Sequence, residues 1–216
     1  MQITLLPAIL SRDPEEVREK VRFLESIPEI SEVHIDFADG IFVDNATVMP
    51  ADLSGIETRL KFEAHMLASG PHKFFHDLEH NGFDSVIVHF ESFPRSQDLA
   101  AAVGNVRSLG LAAGVAINPD TDIAMLEPLM DKIDIAMIMS VYPGFQGRPF
   151  VPESLDKLQA LRYRHPNAII EIDGGVSLDN IQMLKSHGAN RFVVGSGIWH
   201  APDPKQKIYE FLNKLR

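Results

Sequence analysis

Eight short apolar runs punctuate the chain, over 3–10, 32–37, 61–67, 85–90, 111–118, 133–141, 168–173 and 191–197. Each is of strand length and bounded by polar or turn-forming residues. Segments with helical spacing fall between them. In 14–27, Val17, Val21, Phe23, Leu24 and Ile27 recur every three or four residues, and 152–162, 178–186 and 203–215 repeat the theme. Asp13 before Pro14 is a cap followed by a residue pre-set for the first helical turn, and Glu15 and Glu16 suit the positive end of the helix dipole. About eight strand–helix units predict an α/β fold, a (β/α)8 TIM barrel, as one domain over 1–216. A doubly wound sheet is the alternative, but it carries a glycine fingerprint after its first strand. Here that strand ends in Pro7-Ala8-Ile9-Leu10-Ser11.

The polar residues break this pattern at particular places. His34, Asp36, His65, His89, Asn118, Ser140, Asp173 and Ser196 all fall at the C-terminal ends of predicted strands or just beyond. In a barrel that end is the catalytic face, assembled from several strands at once. Side chains alternate across a strand, so His34 and Asp36 share a face. If the strands are neighbours, His34, Asp36, His65 and Asp173 converge as two imidazoles and two carboxylates. That donor set suits one divalent transition metal (zinc, iron, manganese or cobalt) and leaves a position open for a substrate oxygen. Such an ion stabilises an oxyanion beside a carbonyl, with carboxylates on either side as base and acid.

Composition narrows the partners. Lys and Arg number 20 against 30 Asp and Glu, a formal charge of −10, which argues against non-specific nucleic-acid binding and docking on anionic lipid. An anionic substrate stays compatible, because backbone N–H groups can cradle a phosphate. The chain has no Cys, which excludes disulfides, thiolate ligands and a cysteine nucleophile. No basic leader or membrane-length apolar run is present, so a cytoplasmic protein is the expectation.

Glycine clusters supply a second element. Pro143-Gly144-Phe145-Gln146-Gly147, Asp173-Gly174-Gly175 and Val194-Gly195-Ser196-Gly197 follow the sixth, seventh and eighth strands. Loops there often hold phosphate on backbone N–H groups, which glycine lets approach closely. Met66 and Met139 are placed near the mouth as apolar walls. His72, His76 and His80, spaced by four, read as a solvated helix face that binds nickel or zinc adventitiously. His165, His187 and His200 are assigned no role.

Several of these segments together resemble the ribulose-phosphate 3-epimerase family over nearly the whole length. Pro7-Ala-Ile-Leu-Ser11 is similar to the family's Pro-Ser-Ile-Leu-Ser, and Val33-His-Ile-Asp-Phe-Ala-Asp-Gly-Ile-Phe-Val43 to its His-x-Asp-x-Met-Asp-Gly-x-Phe-Val. Ala64-His-Met-Leu67, Ile117-Asn-Pro-Asp-Thr121, Met139-Ser-Val-Tyr-Pro-Gly-Phe145 and Glu171-Ile-Asp-Gly-Gly-Val176 also have counterparts. The resemblance implies a ribulose-phosphate-binding type of TIM barrel and a metal-dependent isomerase. One aspartate removes the C3 proton of a ketose phosphate, giving a cis-enediolate, and the other returns a proton to the opposite face. It makes Asp36 and Asp173 both metal ligands and the acid/base pair, with His34 and His65 as ligands only. Ala8, Met66, Met139, Gly144, Phe145, Gln146, Gly147, Gly174, Gly175, Gly195 and Ser196 become the substrate-binding set, and a homo-oligomer the expected assembly.

The chain departs from the family pattern at Ala8 for Ser, Ala38 for Met, Asp44 for Pro and Gln146 for Gly. No metal ligand or aspartate is lost. The small Ala8 and Ala38 point to a roomier pocket and to a ketohexose 6-phosphate as the alternative substrate. A decarboxylase or aldolase on a related barrel is disfavoured, because Phe62-Glu-Ala-His-Met-Leu67 lacks the Asp-x-Lys-x-x-Asp run of those relatives. A non-catalytic sugar-phosphate-binding paralogue would need no pair of proton-transfer groups.

Overall fold

Every predicted apolar run contains a strand. The computed structural model describes residues 2–145 and 147–216. Its strands are β1 (Thr4–Ile9), β2 (Glu32–Ala38), β3 (Lys61–Leu67), β4 (Ser85–His89), β5 (Ala112–Ile117), β6 (Ile135–Met139), β7 (Ile169–Asp173) and β8 (Arg191–Val194). They pair in chain order, all parallel, and β8 closes onto β1. This is the (β/α)8 barrel that the strand–helix alternation predicts. No described helix is long and apolar enough to cross a membrane.

The helices are α1 (Pro14–Glu25), α2 (Phe75–His80), α3 (Ser96–Ser108), α4 (Ser154–Arg164), α5 (Ile181–Ser186), α6 (Ser196–Trp199) and α7 (Pro204–Leu215). Asp13 caps α1 by accepting from the Glu15 N–H, and Asp203 caps α7 by accepting from Gln206. Two crossings depart from the strand–helix repeat. Among the described residues, β2–β3 and β5–β6 carry only 3-10 turns, at Pro50–Leu53 in the first and at Ile123–Met125 and Glu127–Leu129 in the second. Pro119 and Pro128 break the second crossing into pieces too short for an α-helix, and the first is taken up by a loop across the barrel mouth.

Period-two alternation sorts the strand residues into two layers. Ile35, Phe37, Ala64, Met66, Val86 and Val88 point outward and join Val17, Leu24, Leu78 and Leu99 of the helices in the main core. The barrel interior is different in character. Ile87, Ala116, Ile135, Met137 and Met139 make one apolar cluster there, and Leu6, Ala8 and Val193 another. The rest of the interior is polar, with His34, Asp36, Glu63, His65, Glu171 and Arg191 all buried. Buried ionisable groups persist only when paired or liganded, so this half of the barrel needs a chemical explanation.

Candidate active site

Strand register brings the polar residues together. His34 sits opposite Glu63 and Asp36 opposite His65 across β2 and β3, while β7 contributes Glu171 and Asp173. Asp36 Oδ1 lies 2.8 Å from Nδ1 of His65 and 3.3 Å from Nε2 of His34. Asp173 Oδ2 approaches the same His65 nitrogen at 3.7 Å. One donor atom from each of His34, Asp36, His65 and Asp173 lies within 4.8 Å of the other three. Both imidazoles are inaccessible to solvent, whereas the Asp173 side chain is 17% exposed and opens to a cleft above.

The electrostatics are those of a site crowded with negative charge. Burial disfavours a charged His34, but Asp36 and Glu63 outweigh it and hold its pKa well above the usual imidazole value. Burial raises Asp36, yet the His34 and His65 rings beside it leave it well below the usual carboxylate range. Asp173 has less compensation; burial and the neighbouring Asp36 charge push it up to about 6.

This donor set fits a divalent cation. Nε2 of His34 is buried with no hydrogen-bond partner while its other nitrogen, Nδ1, is held by Glu63 Oε1 at 2.9 Å. A histidine fixed at one nitrogen by a carboxylate, with the other bare and buried, is the arrangement of an oriented metal ligand. His34, Glu63 and Glu171 form a second buried trio, but a protein cation already neutralises it. Arg191 reaches Glu171 at 2.6 Å through Nε, Glu32 at 2.7 Å through Nη1 and Glu63 at 2.6 Å through Nη2. Burial lifts Glu171, with help from Glu63, to about 8. Burial also opposes charge on Glu63, but Arg191 and His34 draw it down to about 2. Burial works against the guanidinium charge as well, and its carboxylates more than restore it.

The sequence reading missed this lower tier, and also Glu91, which holds Nδ1 of His89 at 3.2 Å. Glu63 and Glu171 lie two residues before His65 and Asp173, so strand alternation was the available signal that they share the interior face.

Above the candidate metal ligands lies a cleft that opens to solvent. Asp36, His65 and Asp173 line it, as do Ala8, Met139, Gly144, Phe145, Gly147, Gly174, Gly175, Gly195 and Ser196. His34 lies beneath, fully buried. Met66, expected at the mouth, is a correction. Next to inward-facing His65 it must turn outward, and it packs in the main core; Leu67 lines the cleft instead. Ala38 is buried and does not reach the cleft wall, whereas its register partner Leu67 does. Gln146 lies outside the described residues. Arg148, which the sequence reading did not select, is the one Lys or Arg among the described lining residues. His72, His76 and His80 are exposed on the outer surface, away from the cleft.

The walls are tied together across the mouth. Asn45, in the loop after β2, donates at 2.7 Å to the Gly144 carbonyl in the loop after β6. Trp199 of α6 donates at 2.6 Å to the Ala8 carbonyl on β1. The Ser140 backbone N–H donates at 2.7 Å to the Asp173 carbonyl, so the β6 end positions the strand that carries Asp173.

Residues 4–199 match the ribulose-phosphate 3 epimerase family. A ribulose-phosphate 3-epimerase from Synechocystis is 34% identical over 99% of this chain and 95% of the relative. The Escherichia coli K12 ribulose-phosphate 3-epimerase is 31% identical over 99% of this chain and 96% of its own. Among solved structures, a mutant tryptophan synthase α-subunit from Pyrococcus furiosus superposes with a TM-score of 0.73 at 18% identity, covering 99% of this chain and all of the other, a likeness of fold alone. With the family's sequence pattern spanning the barrel and its relatives matched end to end, the chain belongs to the ribulose-phosphate 3-epimerase family and is an isomerase.

Proposed function

We propose that the protein inverts C3 of a ketose phosphate, converting D-ribulose 5-phosphate to D-xylulose 5-phosphate, or acting on a close relative, with a divalent metal in its site. One observation carries the reading: Asp36 and Asp173, on the non-adjacent strands β2 and β7, both approach Nδ1 of His65 at the floor of one cleft, at 2.8 and 3.7 Å. Two carboxylates reaching one point from different strands can address opposite faces of a carbon held between them, which inversion by deprotonation and reprotonation requires. One aspartate takes the C3 proton and the other delivers a proton to the opposite face. His34 and His65 orient the set and carry no proton to substrate. A divalent ion held by His34, Asp36, His65 and Asp173 supplies, when bound, Lewis acidity toward the oxygen charge that develops beside C3.

The rest of the cleft supports a phosphorylated substrate. Gly174, Gly175, Gly195 and Ser196 bring backbone from the ends of β7 and β8 to its wall, and Arg148 adds a positive side chain. Ala8 presents only a methyl group at the wall, so a ketohexose 6-phosphate is the second substrate to try. The test is deuterium incorporation at C3, followed by NMR in deuterated water, with both sugars and metal-loaded protein. Exchange with ribulose 5-phosphate that disappears on chelation and in Asp36→Asn and Asp173→Asn is expected. Absence of exchange with either sugar, in folded metal-loaded protein, would sink the reading.

A further inference from the structure

His65 meets a different partner at each nitrogen. Nδ1 faces Asp36 and Asp173, while Nε2 lies 2.8 Å from Nε2 of His89, and both rings are fully buried. The ring centroids are 5.0 Å apart and the planes 23° from parallel. The centroid spacing exceeds the nitrogen spacing by about two ring radii, so the nitrogens lie between the rings, where an in-plane N–H···N bond forms. One proton occupies that contact. Two would clash, and none would set two lone pairs against each other.

The owner of that proton is decided one ring further away. Nδ1 of His89 lies 3.2 Å from Oε2 of Glu91. The other Glu91 oxygen accepts from the Asn118 N–H at 2.8 Å and from the Thr121 hydroxyl. A carboxylate acceptor requires the His89 proton on Nδ1, which leaves Nε2 of His89 bare. The shared proton then belongs to Nε2 of His65, and Nδ1 of His65 is left as a lone pair directed at two carboxylates. Without a proton of its own on Nδ1, a lone pair beside two carboxylates is favourable only around a cation, and a metal ion takes the place that proton would hold.

We propose that Glu91 and His89 are positioning residues that set the tautomer of His65 and so prepare the centre for a metal ion. The inference rests on the metal reading above and adds a polar chain, His65–His89–Glu91, separate from the Glu63 contact that orients His34.

The test is zinc affinity of the intact chain, by competition with a chromophoric chelator, alongside nitrogen NMR of the histidine rings. Glu91→Gln and His89→Leu are expected to weaken zinc binding roughly 10–100-fold. Glu91→Gln should also move the His89 ring proton from Nδ1 to Nε2. His89→Gln should recover most of the affinity, because its amide oxygen accepts from His65 while its NH2 donates to Glu91. Circular dichroism checks that each variant is folded. Zinc affinity in folded Glu91→Gln within twofold of the parent would overturn the inference, as would His89→Gln binding as poorly as His89→Leu. Failure of the parent itself to bind zinc would overturn the metal reading and the inference with it.

Discussion

Arg191 Nη2 lies 2.6 Å from Glu63 Oε2, and the other oxygen of that carboxylate holds Nδ1 of His34 at 2.9 Å. A guanidinium on β8 is thus linked, through one carboxylate on β3, to the candidate metal ligand His34 on β2. Arg191→Met would strand Glu63 and Glu171 in the interior without their counter-charge. Breaking such a buried cluster costs about 3 kcal/mol. Urea unfolding should show a loss of that order, and zinc binding should weaken as Glu63 loses its anchor. A change below about 1 kcal/mol would mean that water, not Arg191, compensates these carboxylates.

Gly174 has a backbone only glycine takes easily, with φ +109°, and a Cβ there would lie 2.5 Å from Cγ2 of Val141. Backbone strain and overpacking each cost about 1–3 kcal/mol, so Gly174→Ala should lose about 2–4 kcal/mol in a thermal or urea melt. Val141→Ala in the same chain should relieve the side-chain part of the clash, but neither the 2.9 Å approach to the Val141 backbone nitrogen nor the φ strain. Full recovery in the double variant would show that the positive φ costs nothing here.

The two methionines separate wall from core. Met66→Leu, in the outer layer, should change stability by less than about 1.5 kcal/mol and leave the KM for sugar phosphate where it was. Met139→Ala should cost about 2–4 kcal/mol and also raise KM, because Met139 lines the cleft. Equal KM in both variants would contradict this division.

Glu91 makes a pH prediction with a definite sign. Burial would raise its pKa, but His89, Thr121 and the Asn118 N–H draw it from the ordinary 4.5 to about 2. A carboxylate depressed by folding stabilises the native state above its unfolded pKa, and that stabilisation is lost as the pH falls from about 4.5 toward 2. The stability gap between the parent and Glu91→Gln should therefore be largest near neutral pH, on the order of 2 kcal/mol with allowance for partial exposure, and close as acid is added. A gap that stays constant down to low pH would contradict an ionised Glu91 hydrogen-bonded in the fold.

The alternation of His34 and Asp36, the lone His65 and the Asp-Gly-Gly run at Asp173 were legible because strand ends, turn residues and period two are local patterns. The same rule, applied one residue further, turns Met66 away from the cleft beside His65. The expected strand–helix repeat failed at the β5–β6 crossing, where Pro119 and Pro128 leave only 3-10 turns among the described residues. Arg191 and Glu63 are another matter, since 128 residues separate them and each reads locally as a charge near a strand start. Only closure of the barrel, with β8 paired back onto β1, carries that guanidinium to carboxylates from β2, β3 and β7. The same holds for the contact between His65 and His89, which needs neighbouring strands in one register and two rings turned nitrogen to nitrogen. Sequence determined which groups stand at the strand ends, because side-chain direction follows from backbone period. Tertiary structure alone decided which groups meet, because partner choice depends on how the sheet tilts and closes.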